Sequence, residues 1–107
     1  MTDSEFATMA AALIDRIEEA FDASGADIDL DRKGDGILEI EFADGSKVVV
    51  NAQAPMRQIW VAARSGGFHF AGEEGRWRDT RSGEELSRLL SRVAGEQAGT
   101  PVALAIG

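Results

Sequence analysis

Asp27-Ile-Asp-Leu-Asp-Arg-Lys-Gly-Asp-Gly-Ile37-Leu-Glu-Ile-Glu-Phe42-Ala-Asp-Gly-Ser-Lys47-Val-Val-Val-Asn51 decides the fold of this chain. Asp27 to Asp31 alternates strictly, so Ile28 and Leu30 share one face of a strand and the three aspartates the other. Gly34-Asp35-Gly36 turns the chain. Ile37 to Phe42 alternates again, with Leu38, Ile40 and Phe42 set against Glu39 and Glu41. Asp44-Gly45 is a strong hairpin signal, and Lys47 to Asn51 is the returning strand. Antiparallel strands joined by tight turns, with one apolar and one polar face, need a second layer on the apolar side only.

The pattern continues toward the C-terminus. Pro55 breaks the third strand. Arg57 to Ala62 reads as a fourth strand, Gly66-Gly67 as a turn, Phe68-His69-Phe70 as a fifth strand, Gly72 to Gly75 as a turn and Arg76 to Asp79 as a sixth strand. Helices supply the covering layer. Phe6, Met9, Leu13, Ile14, Ile17 and Phe21 recur at helical spacing over residues 3–22, and Thr2 with Glu5 has capping-box spacing. A second helix is expected from about Gly83 to Gln97, with Ser82 and Glu85 at capping-box spacing, Leu86, Leu89, Leu90 and Val93 on its buried stripe and Gly99 as its stop. The apolar tail from Pro101 to Ile106 is expected to pack on the helices. The expectation is a two-layer α+β sandwich: about six antiparallel strands, with both helices on one face, in a single domain over residues 1–107.

Charge narrows the function. The chain carries 19 acidic and 11 basic residues among 107, a formal net charge of -8. Residues 1–45 hold thirteen acids and three bases, whereas the remainder holds six acids and eight bases. An acidic front argues against general binding of nucleic acid and against docking to anionic lipid. No cysteine is present, which removes disulfides, thiolate metal sites and a cysteine nucleophile. The start, MTDSEF, lacks the basic region of a secretion signal, and no apolar run is long enough to span a bilayer. The chain therefore reads as cytoplasmic. Dinucleotide loops, P-loops, nucleophile elbows and HExxH are all absent, so it reads as a binding or regulatory component rather than an enzyme.

Three sets of residues are candidates for function. Asp15, Glu18, Glu19 and Asp22 avoid the apolar stripe of the first helix, and Asp15–Glu19 and Glu18–Asp22 are neighbours one turn apart. Asp27, Asp29 and Asp31 follow on the adjoining strand. Such carboxylates solvate a helix face, attract hard divalent or ferric cations weakly, or dock a basic surface. With one histidine and no cysteine, any metal here is labile and surface-bound. The second set is Asn51, Gln53, Gln58 and Trp60. If Ile59 and Val61 meet the helices, Trp60 stands on the open sheet face among amides, in the manner of a protein–protein hot spot. His69, between two phenylalanines, shares that face if they point to the core. The third set, Arg57, Arg76, Arg78 and Arg81, is a basic counterpart, and Trp77 is ambiguous between core and surface.

The whole pattern resembles the bacterial frataxin family, its CyaY-like branch. The resemblance rests on MTDSEF, on Ile17-Glu-Glu, on Asp27-Ile-Asp-Leu-Asp, and above all on Asn51-x-Gln-x-Pro-x-x-Gln-Ile-Trp60. Gly66-Gly-Phe-His-Phe70, Trp77 and Arg81-Ser-Gly-Glu84 follow in order. It implies a helix–sheet sandwich and a non-enzymatic role in iron-sulfur cluster assembly, through contact with a cysteine desulfurase and its scaffold protein. It also implies weak iron binding (Fe²⁺ or Fe³⁺, with other divalent cations able to substitute) on an acidic ridge. Carried over by position, the ridge is Glu18, Glu19 and Asp22, with Asp3, Asp15, Asp27, Asp29 and Asp31 as outlying candidates. The partner-facing surface is Asn51, Gln53, Gln58 and Trp60, with His69 beside it. Relatives often carry a histidine and further aspartates where this chain has Ala7, Ala11, Ala23 and Ser24, which favours docking over tight iron binding. The resemblance implies a monomer, with metal-driven oligomers as a further state. An iron-oxidising or iron-storage protein and a metal-independent binding module are the alternatives.

Overall fold

The computed structural model describes residues 1–106. A helix, α1 (Asp3–Ala23), leads into six strands: β1 (Ile28–Lys33), β2 (Ile37–Phe42), β3 (Lys47–Gln53), β4 (Gln58–Ala63), β5 (Gly66–Glu73) and β6 (Arg76–Asp79). A second helix, α2 (Leu86–Ala98), follows. The strands form one antiparallel sheet in chain order, β1 to β6, so each pairs with its sequence neighbour. This is the α+β sandwich that the alternation predicts.

Register explains the core. Leu30 lies opposite Ile40, Ile40 opposite Val48, Leu38 opposite Val50, Val50 opposite Val61, and Ile59 opposite Phe70. These side chains build one apolar face; all but the half-buried Leu30 are buried together with Leu13, Ile14, Ile17 and Phe21 of α1 and Leu89, Leu90 and Val93 of α2. The capping box at α1 forms as its spacing requires: the Glu5 amide donates to the Thr2 hydroxyl, and the Thr2 amide donates to the Glu5 carboxylate. Leu104 is buried and its amide donates to the Ser91 hydroxyl, so the tail does pack on α2. Trp77 is a core residue, edge-on to Phe6 with ring centroids 6.3 Å apart.

Several boundaries differ from expectation. β5 starts at Gly66, not Phe68, and runs through Gly72. Gly72 stays in the strand because it lies opposite Trp77, where a Cβ would come within 3.1 Å of the indole ring. Arg57 lies in the turn before β4 instead of opening that strand. α2 starts at Leu86 with Glu85 as its N-cap and no side-chain cap, so the capping box expected between Ser82 and Glu85 does not form. The Ser82 hydroxyl instead donates to the Asp79 carboxylate at 2.8 Å and accepts from the Glu84 amide. Asp79 thereby organises residues 79–84 as a turn. Burial works to raise its carboxyl, but hydrogen bonds from the Ser82 hydroxyl and from the Arg81 and Ser82 amides outweigh burial and hold it below the usual range. The segment after this turn pairs with the outer edge of β6, through Arg78 opposite Glu85 and the Asp79 amide donating to the Glu84 carbonyl.

Candidate functional site

Helix α1 and the strand at the sheet edge bring Asp15, Glu18, Glu19 and Asp22 around a shallow surface depression whose apolar wall is Leu30 of β1. The side chains gather there because i, i+3, i+4 and i+7 positions share a helix face. They are not equally free. Nη1 of Arg32 donates to Asp15 Oδ1 at 2.9 Å and to Glu18 Oε1 at 2.9 Å. Arg32 is on the face of β1 that carries Ile28 and Leu30, so its guanidinium reaches α1 across the sandwich edge. Among the described residues, Glu19 and Asp22 make no ion pair. Sequence reasoning missed Arg32 because it ended the strand at Asp31. Extending the alternation by one residue puts position 32 on the helix-covered face, which was the available signal.

The outlying acids lie elsewhere. Asp3 is held by Arg57, whose Nη2 is 3.0 Å and Nε 3.2 Å from Asp3 Oδ1. Arg57 also donates to the Met1 carbonyl. Asp29 lies opposite Glu41 and Asp31 opposite Glu39, on the open sheet face and away from the helix layer, and Asp27 is exposed just before β1. The open face therefore has its own charge pattern. Lys33 (2.8 Å) and Lys47 (3.3 Å) both pair with Glu39 and hold its carboxyl below the usual range. Among the described residues, no three histidine, cysteine, aspartate or glutamate side chains converge at metal-holding distance. The carboxylates offer hard oxygen donors singly or in pairs, a donor set that suits weak, exchangeable cation binding.

The middle strands carry the other candidates together. Trp60 lies opposite Asn51 on one side and His69 on the other, and Gln53 lies opposite Gln58. The Trp60 and His69 rings stack with centroids 4.3 Å apart and planes within 10°. Trp60 Nε1 donates to Gln58 Oε1 at 2.9 Å. The indole is thus fixed by a stacking partner and a hydrogen bond before any ligand arrives. Amide groups surround it, on the sheet face that neither helix covers. A rigid aromatic flanked by adaptable amides has the composition common at the centres of protein–protein contacts.

The basic residues form no single patch. Arg57 sits at the N-terminal end of α1, and Arg76 and Arg78 both approach Glu85, at 3.7 and 3.9 Å. Among the described residues, no helix is long and apolar enough to cross a membrane.

A model of the frataxin-like domain matches residues 1–100. The chain is 49% identical over 105 residues to the iron-sulfur cluster assembly protein CyaY of Paraburkholderia phymatum, covering 98% of this chain and 99% of that protein. The fold superposes on the frataxin of Psychromonas ingrahamii with a TM-score of 0.90 at 38% identity, over 98% of this chain and 99% of that one. It is also similar, at a TM-score of 0.64 and 28% identity over 83% of this chain and 80% of the other, to trimeric frataxin of the yeast Saccharomyces cerevisiae complexed with ferrous iron. The chain belongs to the frataxin-like family.

Proposed function

We propose that this chain acts as a single frataxin-like domain in cytoplasmic iron-sulfur cluster assembly. It is an accessory protein, not an enzyme. It docks on the cysteine desulfurase and its scaffold protein through two surfaces. One is the acidic edge formed by Asp15, Glu18, Glu19 and Asp22. The other is the open sheet face with Asn51, Gln53, Gln58, Trp60 and His69. The observation that carries the reading is the Trp60–His69 stack, locked by Gln58 on an uncovered sheet face, in a chain whose near-full-length relative bears the name of a cluster assembly protein.

Iron enters as cargo held weakly by the ridge carboxylates, with Asp3, Asp27, Asp29 and Asp31 as more distant oxygen donors. A bound cation would lower the negative charge of the ridge and so loosen its hold on a basic surface. The dispersed donor set favours this tuning role over a defined iron-oxidising centre.

The test is a pull-down of the desulfurase titrated over salt, with the wild type and with Glu18→Lys/Glu19→Lys/Asp22→Lys. The triple reversal should abolish most of the binding and flatten its salt dependence. Unchanged binding at every salt level would sink the docking reading. Desulfurase turnover, measured with and without the protein at several Fe²⁺ concentrations, then reads whether iron tunes the contact.

A further inference from the structure

Two of the four helix carboxylates already have a cation. Arg32 Nη1 bridges Asp15 and Glu18 with two 2.9 Å hydrogen bonds, whereas Arg16, the base on α1 itself, makes no ion pair among the described residues. The exposures run in the order that an exchange requires. The Arg32 side chain is 26% exposed, Glu18 36% and Asp15 62%, so an incoming cation reaches the carboxylates before it meets the guanidinium. The bridge is also incomplete from the arginine's side. Arg32 Nε is buried without a hydrogen-bond partner, so closing the bridge strands a donor that water would satisfy if the side chain swung out.

We propose that Arg32 is an internal counter-ion that occupies Asp15 and Glu18 and must be displaced before a basic partner can pair with them. The inference rests on the docking reading given above and names its regulation. Docking then becomes an exchange of the internal arginine for a basic group of the partner. Glu19 and Asp22 make first contact, and Asp15 and Glu18 join only when the bridge opens. Losing Arg32 should strengthen the ridge by more than the removal of one positive charge, because two carboxylates are released at once.

The experiment uses hexalysine peptide as the basic probe at low salt. Arg32→Gln is compared with Arg16→Gln, which makes the same change in net charge at an arginine that holds no carboxylate among the described residues. NMR titration should show Arg32→Gln binding several-fold more tightly than wild type, and at least threefold more tightly than Arg16→Gln. Adding Asp15→Asn and Glu18→Gln to Arg32→Gln should erase the excess. Equal gains in the two single variants, or no binding by any of them, overturn the proposal. A second readout needs no variant. In the wild type the Arg32 Nε–H resonance should move together with the Asp15 and Glu18 amides and later than those of Glu19 and Asp22. An Arg32 signal that stays put while the ridge saturates overturns it as well. If hexalysine behaves as expected but the desulfurase does not bind, the docking partner is wrong and the counter-ion stands.

Discussion

The two faces of the sheet are built from the same strands by the same alternation, yet they serve different ends. Ile59 and Trp60 are consecutive residues, as are His69 and Phe70. Ile59 and Phe70 face each other under the helices and are fully buried. Trp60 and His69 stack on the other side of the same two strands, facing outward. One face spends its side chains on stability. The other holds a stacked tryptophan and histidine outside the core, the face that the proposed docking would use.

Breaking this contrast starts with the largest effect. Phe70→Ala should destabilise the fold by about 3–5 kcal/mol in urea unfolding, the usual cost of emptying an aromatic core site. The adjacent His69→Ala should cost about 1 kcal/mol or less, the worth of an aromatic pair. Similar losses for the two would erase the distinction between the faces.

Asp79 is a buried polar residue on the covered side, and Asp79→Ala should cost about 1–3 kcal/mol, because its hydrogen-bonded donors lose their acceptor. The pH dependence has a definite sign. The folded carboxyl is held below its ordinary value, so its contribution is complete above the unfolded value of about 3.9. It disappears as pH falls through the lower folded value. Unfolding midpoints of wild type and variant should differ by a constant amount from pH 7 to pH 5 and converge in stronger acid.

Gly72→Ala tests how tightly the covered face is packed. A methyl group 3.1 Å from the Trp77 ring forces a shift and should cost about 1–3 kcal/mol, with a change in Trp77 fluorescence. Trp60→Ala should also cost little stability, less than about 1.5 kcal/mol, the upper worth of its stack. In the desulfurase pull-down the same variant should lose at least tenfold in affinity. That pairing of small and large effects sharpens the comparison most.

Alternation made the strands readable, because a two-residue period survives without knowledge of the partner strand. It also placed Trp60 opposite its buried neighbour, Ile59. What it could not supply were effects created by tertiary neighbours. Ser82 has the spacing of a helix cap, but Asp79 is close enough in the folded chain to take its hydroxyl. Gly72 looks like a turn residue until Trp77 is seen against it. Gln97 reads as the end of a helix, yet it is buried and ties α2 to the β2–β3 turn and β4–β5 turn through Ser46 and the Arg64 amide. Among the acids, sequence shows number and spacing only. Which of them are engaged by Arg32 or Arg57 depends on chain crossings that bring residues 14 to 54 positions apart into contact.

The strictly sequential strand order has a kinetic consequence. Every ladder closes across a short turn, so the sheet can grow outward from the Asp44-Gly45 hairpin without first bringing distant parts of the chain together. The slower encounter expected from this topology is the docking of α1 and α2, which lie far apart in the chain and cover the same face. Substitutions at the helix–sheet contact, such as Leu13→Ala, are therefore expected to slow refolding more than substitutions in the Asp44-Gly45 turn, measured by stopped-flow fluorescence.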